Sequence, residues 1–246
     1  MIASQALPTT LLDRTVVIFG GTSGIGLAAA VQAKAAGAHV IVIGSNAARA
    51  EQAAKDHDLA GWRAADVTRS EAVEAALSDI PVVDHLVLLA GTFVAGTVRG
   101  AEVDLLRRAF EERIWASVSA IRALGDRLAR DGSITFISGS LADRPNAYGT
   151  AVLAAASAAM EALARGLALE LAPIRVNTLS PGPINTPILG KALGEARDGF
   201  VASLEQILPL HRLGTAPEAG AAVVFLMANT FMNGAVLNID GGARLV

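Results

Sequence analysis

Residues 16–26 read Val16-Val17-Ile18-Phe19-Gly20-Gly21-Thr22-Ser23-Gly24-Ile25-Gly26, an apolar run that stops in a glycine-rich turn just before an Ala-rich helical pattern, Leu27 to Ala36. The chemistry this spacing suits is the binding of a pyrophosphate. The first N–H groups of a helix have no partner inside the helix and carry partial positive charge, so they attract an anion. Glycine at 20, 24 and 26 lets that anion come close, because a Cβ there would stand in its way. The alternative is a plain tight strand-to-helix turn, and the position between strand and helix favours the phosphate site. Metal and thiol chemistry find no support: cysteine is absent and no His/carboxylate spacing suggests a metal.

Such a loop needs a strand before it and a helix after it, and the rest of the chain repeats that alternation. Apolar strand-like runs stand at His39–Ile43, Trp62–Ala65, His85–Leu89, Ser133–Ile137, Ile174–Leu179 and Val236–Ile239. Helical patterns lie between them at Ala47–His57, Ser70–Ser78, Glu102–Arg130 and Thr150–Leu171. Continuous rather than alternating apolar strands imply burial on both faces, hence a parallel sheet with helices on each side. The expected fold class is α/β, a doubly wound seven-stranded parallel sheet. Ligands then bind beyond the carboxyl ends of the strands, where Gly20, Gly44, Asp66, Ala90, Ser138 and Ser180 are expected to line one crevice. The least regular segment, Pro181 to Arg212, reads as a lid, taken as 183–212.

Composition sets the outer limits. A chain of 246 residues with 52% hydrophobic content reads as one domain over 1–246. A net charge of −3 with no basic run argues against nucleic acid as a partner. Met1 to Leu12 lacks a basic start followed by an apolar core, so no signal peptide is expected. Apolar segments are broken by Gly, Pro or charge before 18 residues, so no membrane partner is expected and a cytoplasmic location is the default.

Four motifs then carry a resemblance over nearly the whole length: Gly20-x-x-x-Gly24-x-Gly26, Asp66-Val67, Ile174-Arg175-Val176-Asn177 running into Ser180-Pro181-Gly182-x-Ile184-x-Thr186-Pro187, and Asp240-Gly241-Gly242. The chain resembles the short-chain dehydrogenase/reductase family. The resemblance implies a Rossmann-type fold, a nicotinamide cofactor, a small-molecule substrate and a homotetramer or homodimer. It implies that Gly20, Thr22, Ser23, Gly24, Ile25 and Gly26 wrap the pyrophosphate and that Asp66 and Val67 bracket the adenine. Ala90 and Gly91 would pass the adenine ribose, and Pro181, Gly182, Ile184 and Thr186 would hold the nicotinamide end. An NAD-preferring site ends its second strand in a carboxylate that repels a 2′-phosphate. Here that place is Gly44, followed by Ser45, Asn46 and, one turn on, Arg49. Neutral donors and a cation favour NADP(H) over NAD(H).

The sequence departs from the family in its proton-transfer groups. The family uses a Ser, a Tyr, a Lys four residues later and an Asn upstream; the Tyr is the general acid and typically contributes about 10²–10⁴-fold. The one tyrosine, Tyr148, is followed four residues later by Val152, and no lysine lies between Lys55 and Lys191. Registering the helix on Arg165 and Glu170 puts the expected Tyr on Leu153 and the expected Lys on Ser157. The expected Ser falls on Ser138, Gly139 or Ser140, and the expected Asn on Arg113, either a cation that could partly replace the lysine or an Arg at the helix surface or a subunit interface. The catalytic candidates are therefore Ser138, Ser140, Tyr148 and Arg113. Phe19 and Leu89, where the family has a polar pair, read as core. Three functions follow: an oxidoreductase acting on a carbonyl or alcohol with altered acid–base groups; a dinucleotide-binding protein with little dehydrogenase activity, serving as a sensor or partner subunit; or a repurposed enzyme catalysing a lyase or imine-type reaction. The intact glycine loop argues against cofactor-free forms of the third.

Overall fold

The inner strands are buried on both faces: residues 16–19 and 85–88 are almost wholly apolar, and residues 175–180 are buried although Arg175, Asn177, Thr178 and Ser180 are polar. The computed structural model describes residues 11–246; Met1 to Thr10, most of the segment read as lacking a leader, lie outside the described residues. Numbered in chain order, β1 (Thr15–Phe19), β2 (His39–Gly44), β3 (Gly61–Ala64), β4 (Val83–Leu88), β5 (Leu128–Ile137) and β6 (Arg175–Pro181) precede a two-residue ladder and a last strand. The ladder pairs β7 (Ile184–Asn185) with β8 (Gly214–Thr215), and the last strand is β9 (Val236–Ile239). The main sheet has the order β3-β2-β1-β4-β5-β6-β9, parallel throughout. This is a Rossmann-type doubly wound seven-stranded sheet. The order reverses between β1 and β4, which places the ligand crevice at the ends of those two strands.

Alternation along each strand divides the core between the two faces. Val16, Ile18, Val40, Val42 and Val87 pack with Ala29, Ala30 and Ala33 of α1 (Gly24–Ala35) on one side. On the other, Val17, Phe19, Leu86, Leu88 and Phe136 pack with residues of three later helices. In chain order the helices are α2 (Ala47–Asp56), α3 (Ser70–Leu77), α4 (Val103–Phe110), α5 (Ala116–Leu124), α6 (Ala151–Glu170), α7 (Pro187–Leu193), α8 (Arg197–Ile207) and α9 (Ala216–Ala228). Val223, Leu226 and Met227 of α9 join the α1 side, whereas Leu77, Leu124 and Met160 of α3, α5 and α6 fill the other. Phe19 is thus core as expected. Leu89 is also packed into the core, on the α1 side, and its N–H donates to Phe19 O at 3.0 Å, so the two meet through backbone while their side chains fill opposite faces.

Three expectations change. The helix read as Glu102–Arg130 is α4, a π turn over Glu111–Trp115, and α5; the chain then turns at Gly125 and already enters β5 at Leu128. Gly125 has φ 49°, a conformation a helix cannot continue through. The lid segment is not irregular: it holds α7 and α8, neither of which has a buried residue. Finally, α6 is long and apolar enough by length and composition to cross a membrane. Its buried Leu153, Ala156, Met160, Ala164 and Ala168 belong to the core, the position of a sheet-covering helix.

Candidate active site

The glycine turn follows β1 without a spacer, and its compactness comes from backbone touching backbone. A Cβ on Gly26 would stand 2.2 Å from Gly20 O, and one on Gly20 would stand 2.9 Å from Ala90 N. Only glycine permits both approaches. Ser23, the N-cap of α1, makes no side-chain cap bond, and no acidic residue stands in the first turn. The N–H groups of Gly24, Ile25 and Gly26 are therefore left without a partner from the helix, which suits this helix start to an anion. Thr186 and Pro187, at the base of the lid, reach the same place: Thr186 Cβ and Cγ2 stand 3.4 Å from where a Gly24 Cβ would be. The cradle fits a pyrophosphate, and so these residues fit a dinucleotide.

At the end of β2 the side chain of Thr22 fills the space above Gly44; a Cβ there would meet Thr22 Cγ2 at 2.6 Å. Gly44 is thus glycine because Thr22 occupies its side-chain volume, and the site has no carboxylate there. Ser45 and Arg49 are exposed. Asn46 Oδ1 accepts the Arg49 N–H at 2.9 Å and caps α2, while the Arg49 guanidinium has no partner among the described residues. Asp66 ends the next strand connection. The N–H and hydroxyl of Thr68 donate to Asp66 Oδ1, at 3.0 and 2.8 Å, and hold the carboxyl below the usual carboxylate range.

Beside Ala90 the chain enters a polar knot that the sequence did not disclose. Glu112 is 5% exposed, and its carboxylate accepts Thr92 N–H at 2.6 Å, Thr92 Oγ1 at 2.8 Å and two Arg108 N–H groups at 2.6 and 2.9 Å. Arg113 Nη2 donates to Thr92 O at 2.9 Å, and Nη1 to Ala109 O at 3.4 Å. The π turn lets the two neighbouring residues grip one loop residue from both sides. Burial pushes the Arg113 pKa down, and Glu112 partly opposes this. A cavity of about 10 Å³, room for about one water, is lined here by Phe19, Val67, Ala90, Glu112, Arg113 and Met160, among others.

The hydroxyls are less well gathered. Ser138 Oγ is bonded into α6, 2.7 Å from Glu161 Oε1 and 3.1 Å from Ser157 O. Ser140 opens a single 3₁₀ turn, and its hydroxyl has no partner among the described residues. Tyr148 is 79% exposed; Asn146 Oδ1 takes its N–H and the Thr150 hydroxyl, and Gly149 turns the chain at φ 72°, leaving the ring outside. The structure therefore does not bring Tyr148 into the crevice. Ser180 is also absent from it, fully buried with Arg244 Nη2 3.5 Å from its hydroxyl. Pro181 and Gly182 follow it, and Gly182 packs against Asp240, with 2.6 Å between its notional Cβ and Asp240 Cβ. Ile184 is buried at the lid base. Leu153, at the place of the expected acid, is 4% exposed and packs with Val94, Leu106, Ala109 and Ala156. Glu161 could have been noticed, since it follows Leu153 and Ser157 at helical spacing on one face.

Comparison with known proteins agrees with this frame. Residues 20–244 match the family model described as enoyl-(acyl carrier protein) reductase. The chain is 34% identical to the short-chain dehydrogenase/reductase ATR9 of Stachybotrys chlorohalonatus, covering 96% of this chain and 99% of that protein. It is 30% identical to carbonyl reductase family member 4 of Danio rerio, covering 96% and 100%. Among solved structures it is similar to a small-chain dehydrogenase in complex with NADPH, at 33% identity and TM-score 0.82 over 95% of this chain and 100% of that one. A short chain dehydrogenase/reductase family protein gives 34% identity and TM-score 0.87 over 96% and 99%. The glycine cradle at the switch point of a seven-stranded sheet and these full-length likenesses lead to one conclusion: the chain belongs to the short-chain dehydrogenase/reductase family of oxidoreductases.

Proposed function

We propose that this chain is an NADP(H)-dependent oxidoreductase that interconverts a carbonyl and an alcohol on a small molecule without the family's Tyr–Lys pair. The observation that carries the reading is the cradle, with its open first turn of α1 and Gly20 pressed against Ala90. Gly20, Thr22, Ser23, Gly24, Ile25 and Gly26 would hold the pyrophosphate, Asp66 and Val67 the adenine, and Thr186 the nicotinamide end. The absence of a carboxylate at Gly44 and the unpartnered Arg49 support a 2′-phosphate, and a structural neighbour is an NADPH complex. NADP(H) supplies or accepts hydride when bound, and proximity alone contributes much of the rate. The chain's own task is to hold the substrate oxygen and move a proton to it. Ser140 Oγ has no hydrogen-bond partner among the described residues, whereas Ser138 Oγ is tied to Glu161 and Ser157 O. Exposed Ile188, Phe200, Ile207 and Leu210 on and beside the lid helices favour an apolar substrate body.

The apolar packing of Leu153 favours a second reading, a nucleotide-binding protein with little dehydrogenase activity. One experiment separates them. NADPH and NADH are titrated by nucleotide fluorescence, and NADPH oxidation is then followed with a panel of ketones, aldehydes and imines. Tight NADPH binding with turnover supports the enzyme. Tight binding with no turnover on any panel member moves the conclusion to the binding protein, and no binding of either nucleotide removes both.

A further inference from the structure

The guanidinium of Arg113 lies on the backbone of Gly91, where a Cβ would stand 3.1 Å from Cζ and 3.2 Å from each terminal nitrogen. Gly91 follows Ala90, which itself abuts Gly20 of the cradle. The cation therefore sits at the carboxyl ends of β1 and β4, the strands between which the sheet order reverses. Both of its hydrogen bonds, to Thr92 O and Ala109 O, go to neutral carbonyls. A guanidinium has five N–H donors, so others remain. The adjacent carboxylate of Glu112 is already committed to Arg108 and Thr92. The cavity wall is otherwise mainly apolar, with Phe19, Val67, Leu88, Ile137 and Met160 among its residues and Ser117 as a further polar one. A part-buried guanidinium whose hydrogen bonds go to neutral carbonyls is stabilised further when an anionic oxygen joins it. In such surroundings a charge-assisted bond is about twice as strong as a neutral one.

We propose that Arg113 is a cofactor-binding residue, whose guanidinium donates to a negatively polarised oxygen of the dinucleotide where it passes Gly91. The inference rests on the dinucleotide reading above and adds a cation beside the contact between Ala90 and Gly20 of the cradle. No lysine lies between residues 55 and 191, and Ser157 stands at the place of the expected one, so no lysine of this stretch can supply that charge.

The test is direct binding, with no turnover required. NADPH is titrated into the wild type, Arg113→Gln and Arg113→Lys, and each protein's Tm is recorded without ligand. Arg113→Gln is expected to raise the NADPH Kd about 10- to 100-fold and to flatten the dependence of Kd on salt. Arg113→Lys is expected to recover part of the loss and the salt dependence. Adenosine 2′,5′-bisphosphate, titrated in parallel, locates the contact: a matching loss puts it on the adenosine half, an unchanged Kd on the nicotinamide half. If Arg113→Gln does not fold, Arg113→Met carries the same comparison, since it keeps packing on Gly91 without the charge. A folded neutral variant that binds NADPH within twofold of wild type overturns the proposal. A wild type that binds neither NADPH nor NADH overturns the dinucleotide reading instead.

Discussion

On the proposed NADP(H) reading, single contacts would set cofactor choice, and the one between Thr22 and Gly44 is the most testable. A carboxylate at 44 would bind ribose hydroxyls and repel a 2′-phosphate, but its Cβ would meet Thr22 Cγ2 at 2.6 Å. Gly44→Asp alone is therefore expected to weaken both nucleotides. Combined with Thr22→Ala it is expected to bind NADH in preference to NADPH, a non-additive pair. Equal effects of Gly44→Asp with and without Thr22→Ala would disprove the steric argument. Tyr148→Phe, at a ring 79% exposed, is expected to leave turnover within about twofold of wild type, against the 10²–10⁴-fold typical of a general acid; a tenfold loss would show that the ring swings into the crevice. At this scale the sequence disclosed what depends on local spacing. Gly20, Gly24 and Gly26 were readable because a strand-to-helix turn fixes their neighbours. The grip of Glu112 and Arg113 on Thr92 was not, because it depends on the π turn and on contacts about 20 positions apart. The bond from Ser138 to Glu161 spans 23 positions, and the sequence hinted only at the Glu161 half of it, through its helical spacing from Leu153 and Ser157.

Elements were readable to the extent that hydrophobic pattern alone defines them. The inner strands announced themselves as apolar runs, since a parallel strand buried on both faces needs no polar alternation, whereas the edge strand β3 carries Arg63 and is only half-buried. Helix bounds were not readable across Glu102–Arg130, where the π turn and Gly125 interrupt a pattern that stays helical in composition. The family motif around Arg175 also acquires a structural reason. Its guanidinium donates to Leu226 O, Met227 O and Asn229 O at 2.8–2.9 Å, closing the carbonyl end of α9 from beneath the sheet. A cation there also complements the helix dipole. Arg175→Met leaves these carbonyls without a donor and is expected to cost about 3 kcal/mol. For a chain of this size that lowers Tm by roughly 6–12 °C. Arg175→Lys, which cannot reach several carbonyls at once, should recover only part of it. An unchanged Tm for Arg175→Met in calorimetry would show that water serves those carbonyls equally well.

For the whole molecule, assembly and acid stability are the properties left to argue. Leu169, Phe231 and Leu245 are each at least 80% exposed, and Trp115 is 63% exposed. We propose that such side chains are covered in a homodimer or homotetramer, so light scattering should give a twofold or fourfold multiple of 25.1 kDa; a monomeric mass at micromolar concentration would refute it. Acid stability turns on His85, in the middle of β4, 5% exposed and with Nδ1 2.8 Å from Ser133 Oγ. Burial, helped by the charge of Arg175 and opposed by Asp84, lowers its pKa from 6.5 to about 4. The folded state therefore resists a proton that the unfolded state accepts, so the unfolded chain binds more protons between those two values. Stability is then unaffected by this group above pH 6.5 and falls as the pH drops towards 4. At 1.36 kcal/mol per pH unit the full loss is about 3 kcal/mol. The carboxylates held below their usual range, Asp66, Asp131 and Asp240 among them, act in a lower window, because their stabilisation is lost only as the pH falls from about 4. The two windows can be read separately by denaturant unfolding at pH 7, 6, 5 and 4.5. His85→Gln, which retains a polar partner for Ser133, should lose most of the decline above pH 4.5 while matching its own pH 7 stability at pH 5. Parallel pH curves for wild type and His85→Gln would place the acid sensitivity elsewhere in the fold.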